Sequence, residues 1–141
     1  MGHELSEEES PVGAGSQAGV GVLRVVLSLQ VVLGLLWGIS MLFFAPLIVL
    51  GDRSGPHIEK IAMEGGAHLM LVLAAILVWR APWHSQSVLV LMIFLNVVWA
   101  LTDLVYIPLV GLTDLDFFFK VAVNTGLAIG LACAARRANC L

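Results

Sequence analysis

The chain has 141 residues, of which 60% are hydrophobic and only 12% are charged, and its formal net charge is -3. Soluble domains have about 45–50% apolar and about 25% charged residues, so the composition excludes an ordinary soluble protein and indicates a lipid bilayer as the environment. The seven lysine and arginine residues form no cluster that could follow a phosphate backbone, which excludes nucleic acid as a partner.

The first part of the chain is acidic and poor in large apolar side chains. Residues 1–22 hold four glutamates together with Gly, Ser and Pro, a composition that buries too little surface to order a backbone. We therefore predict a disordered acidic tail over 1–22, a transmembrane domain over 23–137 and a short C-terminal tail over 138–141.

Four apolar stretches follow this tail. A bilayer core of about 30 Å requires roughly 20 helical residues, and residues 25–50, 61–79, 87–112 and 117–135 are each long enough or nearly so. The connections between them are short, so consecutive helices must lie antiparallel. The sequence predicts an all-α polytopic membrane protein in which four transmembrane helices form an up-down antiparallel bundle.

The distribution of positive charge orients this bundle. The side that would hold both termini carries four arginines without a nearby acid, whereas on the opposite side the basic residues alternate with aspartate and glutamate. The positive-inside rule then predicts that both termini face the cytoplasm. The four arginines are Arg24, Arg80, Arg136 and Arg137.

Two segments, "GLLWG" and "GLAIG", place glycines four residues apart. They contain Gly34 and Gly38 in the first helix, and Gly126 and Gly130 in the last. Small residues at this spacing let transmembrane helices approach each other closely. We predict that all four glycines lie at helix packing contacts, and that Gly126 and Gly130 touch another helix.

Ionisable side chains interrupt the last three of the four apolar stretches. Uncompensated charge inside a bilayer costs roughly 2.5–3.5 kcal/mol or more, so such groups turn inward and find partners. Counting the rise along antiparallel helices brings these groups and one amide side chain to matching depths, and we predict that the five converge in one intramembrane layer. Its members are Glu64, His68, Asp103, Lys120 and Asn124.

Within this layer, Glu64 is predicted to pair with Lys120, and His68 to hydrogen-bond Asp103. Three interpretations remain open: the layer fixes helix register, it forms a proton relay through His68 and Asp103, or it binds a quinone-like headgroup. A metal site is disfavoured, because Glu-x3-His and one aspartate supply only three ligands without a diagnostic spacing.

Other polar and aromatic residues lie deep in the apolar stretches. Gln30 and Asn96 are expected to form interhelical hydrogen bonds, and Trp37 and Trp99 to pack near the middle of the membrane. No nucleophile motif, phosphate-binding loop or Cys-x-x-Cys pair occurs. The sequence therefore indicates no catalytic residue and identifies no cofactor.

Three segments give the chain a family resemblance. A first helix ending in "LFFAPLIVLG", a second containing "MEGGAHLMLVLAAILVWRA" and a last one finishing in "LAIGLACAARR" together resemble small four-helix bacterial DoxX-like membrane proteins over residues 23–137. The resemblance implies a four-helix bundle in a bacterial cytoplasmic membrane and association with larger partners in quinone-linked redox chemistry. It assigns no role to His68 or Asp103.

These observations lead to one main functional hypothesis and two alternatives. The main hypothesis is a small integral membrane accessory subunit of a larger redox or energy-transducing assembly, without its own catalytic step. Its expected partners are the lipid bilayer and either other membrane subunits or further copies of itself. The first alternative is an autonomous carrier or channel that moves protons or small solutes through the polar layer. The second is a quinone-reactive component of a membrane oxidoreductase.

Overall fold

The computed structural model describes the backbone over residues 14–48, 55–110 and 115–141, and the side chains over 17–44, 58–105 and 118–141. Its elements are four long helices and one 3-10 turn, and the described residues include no β-strand. They are α1 (Ala14–Ile48), α2 (Gly55–Arg80), the 3-10 turn (Pro82–His84), α3 (Gln86–Val110) and α4 (Leu115–Arg137). The predicted all-α, four-helix architecture is confirmed.

Each of the four helices is long and apolar enough to cross a membrane. The apolar spans contain between 20 and 28 residues, and 20 helical residues already cover about 30 Å. These spans are Gln17–Phe44, Ile58–Arg80, Gln86–Val105 and Phe118–Arg137. The chain is therefore an integral membrane protein built as a bundle of helices.

The helices follow one another around the bundle, but the four seams between neighbours are packed unequally. α1 packs extensively against α2 and α4, and α3 packs against α4, whereas α2 and α3 touch least. Glycines explain the tight seam between α1 and α2. An added Cβ would lie 2.6 Å from Val72 Cγ2 at Gly34, 2.8 Å from Leu69 Cδ2 at Gly38, and 2.8 Å from the backbone nitrogen of Leu42 at Gly65.

The two glycines of α4 differ from each other. A Cβ on Gly130 would make ordinary contact with Val26 of α1, at 3.4 Å from Cγ1, whereas a Cβ on Gly126 would have no neighbour within 4 Å. The described residues therefore place no helix of this chain against Gly126, and its contact with another helix stays a prediction. A step of four residues rotates a helix position by about 40°, enough to move Gly126 out of the seam that Gly130 borders.

Both chain ends pack onto the bundle. α1 begins at Ala14, so residues 14–22 of the predicted tail are helical, whereas residues 1–13 lie outside the described range. The reason is packing: Gly19 lies directly against the carbonyl group of Arg137, and Val20 is buried. This contact also brings the N-terminal end of α1 and the C-terminal end of α4 to the same side of the bundle.

The predicted tail over 138–141 also packs onto the bundle. Ala138 and Cys140 are fully buried, and the indole nitrogen of Trp83 donates a hydrogen bond to the carbonyl oxygen of Ala138 at 3.3 Å. Close by, the guanidinium of Arg24 lies over the ring of Trp79, 5.1 Å from its centroid.

One apolar core occupies the half of the bundle that adjoins the chain ends. Its side chains come from all four helices and from the final residues, and most are fully buried. The core consists of Val20, Leu23, Leu27, Leu71, Ala75, Val78, Leu89, Met92, Leu131, Ala134, Ala135, Ala138 and Cys140.

Candidate functional site: a polar cavity inside the bundle

The other half of the bundle contains a small polar cavity. All five residues of the predicted layer line it: Glu64, His68, Asp103, Lys120 and Asn124. Three helices supply these residues, and the remaining lining side chains are Trp37, Met41 and Trp99. The structure thus brings together every polar residue that depth and helical spacing placed at this level.

The volume of the cavity limits what it can hold. It measures about 30 Å³, and a water molecule needs roughly 10–15 Å³ of such volume. The cavity therefore has room for about two water molecules. Hydrogen-bonding groups surround this space, which is the setting in which internal water is retained.

Two tryptophans hold the His68 side chain. Its ring stacks on Trp99 of α3, with 4.4 Å between centroids and 17° between planes. Trp37 of α1 meets the same ring edge-on at 6.0 Å and 69°, and Trp37 in turn meets Phe119 of α4. Aromatic contacts from α1 and α3 therefore fix the position of an imidazole carried by α2.

A backbone hydrogen bond fixes which nitrogen of His68 carries a proton. Nδ1 lies 2.9 Å from the backbone oxygen of Glu64, one turn earlier in α2. A carbonyl oxygen can only accept, so Nδ1 must donate. In the neutral ring Nε2 is then the free acceptor, and it is the atom that gains a proton when the ring becomes charged.

Exposure differs among the residues of the cavity. His68 and Asn124 are buried, Asp103 and Lys120 are half-buried, and Glu64 is exposed. All five nevertheless line one cavity. The specific pairs predicted for them, Glu64 with Lys120 and His68 with Asp103, stay predictions.

The lining combines charged groups of both signs. It holds two carboxylates, one ammonium and one imidazole. Uncompensated charge inside a bilayer is costly, and opposite charges around one cavity reduce that cost.

A second polar contact lies between this cavity and the apolar core. Asn96 of α3 donates through Nδ2 to Oε1 of Gln30 in α1 at 3.2 Å, and to the backbone oxygen of Met92 at 2.8 Å. This confirms the expectation of an interhelical hydrogen bond. Oδ1 of Asn96 is buried and has no hydrogen-bond partner among the described residues.

Metal-ligating side chains do not cluster in the described part of the chain, and the two cysteines there are unpaired. No group of three or more His, Cys, Asp or Glu residues is arranged there to hold a metal ion. Cys133 is exposed and Cys140 is buried, and both are free thiols. Burial raises the pKa of the Cys140 thiol, which keeps it protonated and unreactive.

Sequence reasoning missed the aromatic support of His68. The sequence predicts Trp37 and Trp99 near the middle of the membrane, but only as packing residues. A usable signal exists, because Trp99 lies four positions before Asp103 and therefore on the same face of α3. The direction in which Trp37 points could not be found in this way, since it depends on how α1 rotates against α2.

Comparisons with protein-family models, with curated proteins and with solved structures found no match to this chain. The resemblance to DoxX-like membrane proteins therefore stays a prediction.

Proposed function

We propose that this chain is a small accessory subunit of a larger membrane assembly, and that it docks through the outer face of α4. The observation that carries this proposal is the composition of that face. Between residues 122 and 133 the exposed positions of α4 are Ala122, Thr125, Gly126, Ile129 and Cys133. Only one of these five side chains is large and apolar.

The outer face of α1 is different. Large apolar side chains cover it, as is typical of a surface that faces lipid tails: Val22, Val25, Leu29, Val32, Leu35 and Leu36 are all exposed. Small residues are instead enriched where transmembrane helices pack against each other. The contrast supports a helix of a partner, rather than lipid, as the neighbour of α4.

Gly126 supports the same interpretation. A glycine inside a helix costs about 1 kcal/mol relative to alanine, and packing against the described residues gives no compensation, because none of them has an atom that would contact an added Cβ within 4 Å. A partner helix in close contact would supply that compensation. Following the resemblance, we take the assembly to be a redox or energy-transducing one, and a second copy of the chain is the alternative partner.

Two matched substitutions test the docking face. Gly126→Leu puts a bulky side chain on it, and Gly66→Leu puts the same side chain on α2, where an added Cβ would also meet nothing within 4 Å. After extraction in a mild detergent, the mass of each complex is measured by light scattering. We expect the wild type and Gly66→Leu to run in a fixed complex, and Gly126→Leu to run alone with unchanged helicity.

Two results would contradict this proposal. One is a wild-type protein that runs as a monomer under conditions that preserve membrane complexes. The other is a complex that survives Gly126→Leu and Gly66→Leu equally well, since α4 would then face lipid.

In this proposal the membrane is the bacterial cytoplasmic membrane and both termini face the cytoplasm. The described residues of the terminal end include Arg24, Arg80, Arg136 and Arg137, which the positive-inside rule places on the cytoplasmic side. A single cysteine at position 85, in the turn between α2 and α3, should then react with a membrane-impermeant maleimide only in inverted vesicles. Reaction from the periplasmic side would reverse the orientation.

A second candidate function is an autonomous proton carrier, and the polar cavity favours it. Its volume suits water and a proton, whereas a quinone ring would not fit without movement of the lining, so the quinone-reactive alternative has less support. Reconstituted vesicles with an internal pH-sensitive dye provide the test. A carrier should acidify the vesicle interior under an imposed proton gradient, and it should lose this activity when His68 and Asp103 are replaced together by Phe and Leu.

The control for this test changes polar groups outside the cavity. Replacing Gln30 and Asn96 together by Leu removes a buried hydrogen bond but leaves the cavity lining intact. A carrier should keep its proton flux in this variant. If the wild type moves no protons, or if both double variants lose flux equally, the cavity does not form a transport site.

A further inference from the structure

The least packed seam of the bundle, between α2 and α3, forms an apolar groove. Its volume is about 610 Å³, and its eleven lining residues are all apolar or aromatic. It extends along α2 from Ala67 to Leu77, and along α3 from Trp99 to Val88. Nothing within the described chain fills it.

The length and depth of this groove indicate what occupies it. The ten-residue step from Ala67 to Leu77 covers about 15 Å, which is half of a bilayer core of about 30 Å. The span of α2 runs from Ile58 to Arg80, so the groove begins near its middle and ends near Arg80. A groove of this extent matches the hydrocarbon of one leaflet, whereas a crossing helix would need about twice the length.

The two ends of the groove differ in chemistry. At the deep end stands Trp99, whose ring stacks on His68 and separates the groove from the polar cavity. At the shallow end, Arg80 follows Leu77 by three positions, on the same face of α2. Arg80 is exposed, and the described segment from residue 76 to 91 contains no acid. A cation therefore lies where a lipid headgroup would be.

We propose that the groove between α2 and α3 binds one acyl chain of an anionic phospholipid. The lipid belongs to the leaflet on the side of the chain ends. Its hydrocarbon lies against Ala74 and the neighbouring apolar side chains, its terminal methyl group reaches Trp99, and its phosphate lies beside Arg80. This site is separate from the α4 face, so it does not depend on the accessory-subunit proposal.

Spin-labelled lipid provides the test. The full chain is reconstituted in phosphatidylcholine vesicles that contain phosphatidylglycerol labelled near the end of one acyl chain, and electron paramagnetic resonance measures the motionally restricted fraction. Ala74→Phe should fill the groove and remove about one restricted lipid per protein. Arg80→Gln should lower the preference for phosphatidylglycerol over phosphatidylcholine about fivefold, the effect of one interfacial cation.

Each variant has a matched control away from the groove. Ala18→Phe, on α1, adds the same ring to an exposed alanine outside the α4 docking face, and Arg136→Gln removes an exposed arginine at the same end of the bundle. Neither should change the restricted fraction. Leu91→Trp, at an exposed position of the groove lining, serves as a second filling variant if Ala74→Phe does not fold.

Three results would overturn the proposal. The first is a restricted fraction in the wild type no larger than in Ala74→Phe and Leu91→Trp. The second is an equal effect of Arg80→Gln and Arg136→Gln on headgroup preference. The third is a filling variant that leaves bound lipid unchanged but lowers the mass of the protein complex, which would assign the groove to a partner helix.

Discussion

The two halves of this bundle are built differently. The half that adjoins the chain ends holds the apolar core, and the largest fully buried side chains lie there, among them Leu23, Leu27, Leu89 and Leu131. The opposite half holds a water-sized cavity lined by ionisable groups. The buried contact of Gln30 with Asn96 lies between them. Dense packing in one half fixes the helices, so that the other half can keep polar groups together without filling all the space between them.

Core truncation should show the largest difference between the halves. Leu23→Ala removes a fully buried side chain of the apolar core and leaves a cavity, for which we expect a loss of about 2 kcal/mol or more. Leu29→Ala, at an exposed position of the same helix, is the control and should cost little, because its side chain leaves one apolar environment for another. Unfolding in mixed micelles measures both. Equal losses would show that the core does not carry the stability.

In the polar half, the support of His68 by two indoles should be visible in stability. Each aromatic pair contributes about 0.5–1.5 kcal/mol, so His68→Ala should lose roughly 1–3 kcal/mol. His68→Phe keeps a ring between Trp37 and Trp99 and should retain most of the stability.

The same unfolding assay tests this comparison. If His68→Phe unfolds as easily as His68→Ala, stacking is not what holds the ring, and the polar contacts of the imidazole must do so. If neither variant changes stability, the polar half contributes nothing to the fold.

At the boundary between the halves, a smaller and non-additive effect is expected. Gln30→Leu removes the acceptor of an Asn96 N–H and should cost about 0.6–1.7 kcal/mol, the range for hydrogen bonds between transmembrane helices. Adding Asn96→Leu also removes the buried Oδ1 atom, which has no hydrogen-bond partner in the described part of the chain. The double variant should therefore be closer to wild type than Gln30→Leu alone, because removing both partners can be nearly neutral. The contrary result would be a double variant whose loss in the free energy of unfolding equals the sum of the losses in Gln30→Leu and Asn96→Leu.

The sequence predicts the helices well because a span needs only length and apolar composition. It also places Glu64, His68 and Asp103 at one cavity, because rise per residue and helical rotation are fixed by backbone geometry. Rotation about the helix axis is not fixed in this way. For that reason the four-residue spacing could place Gly126 and Gly130 on a similar face of α4. It could not show that, of these two glycines, Gly130 is the one that borders α1.

Two further features could not be read from local composition. The segment 14–22 is rich in Gly and Ser, yet it is helical because the end of α4 packs against Gly19. The groove between α2 and α3 is a space between helices, and no single residue in the sequence predicts it. Both depend on contacts between segments that are distant in the sequence.

The last prediction tests how far the apolar half extends along the chain. Cys140 is buried with the core, so in a Cys133→Ser background it should react with a maleimide much more slowly at about pH 8 than a cysteine introduced by His84→Cys, at an exposed position outside the membrane spans. The thiolate is the reactive form, and burial raises the pKa of the Cys140 thiol. Burial of the protonated Cys140 thiol therefore contributes fully to the free energy of unfolding below the ordinary thiol pKa of about 8.5. This contribution is lost as the pH rises through the raised pKa of Cys140. Equal reaction rates for cysteines at positions 84 and 140, measured by mass spectrometry in the Cys133→Ser background, would mean that residues 138–141 do not belong to the packed half.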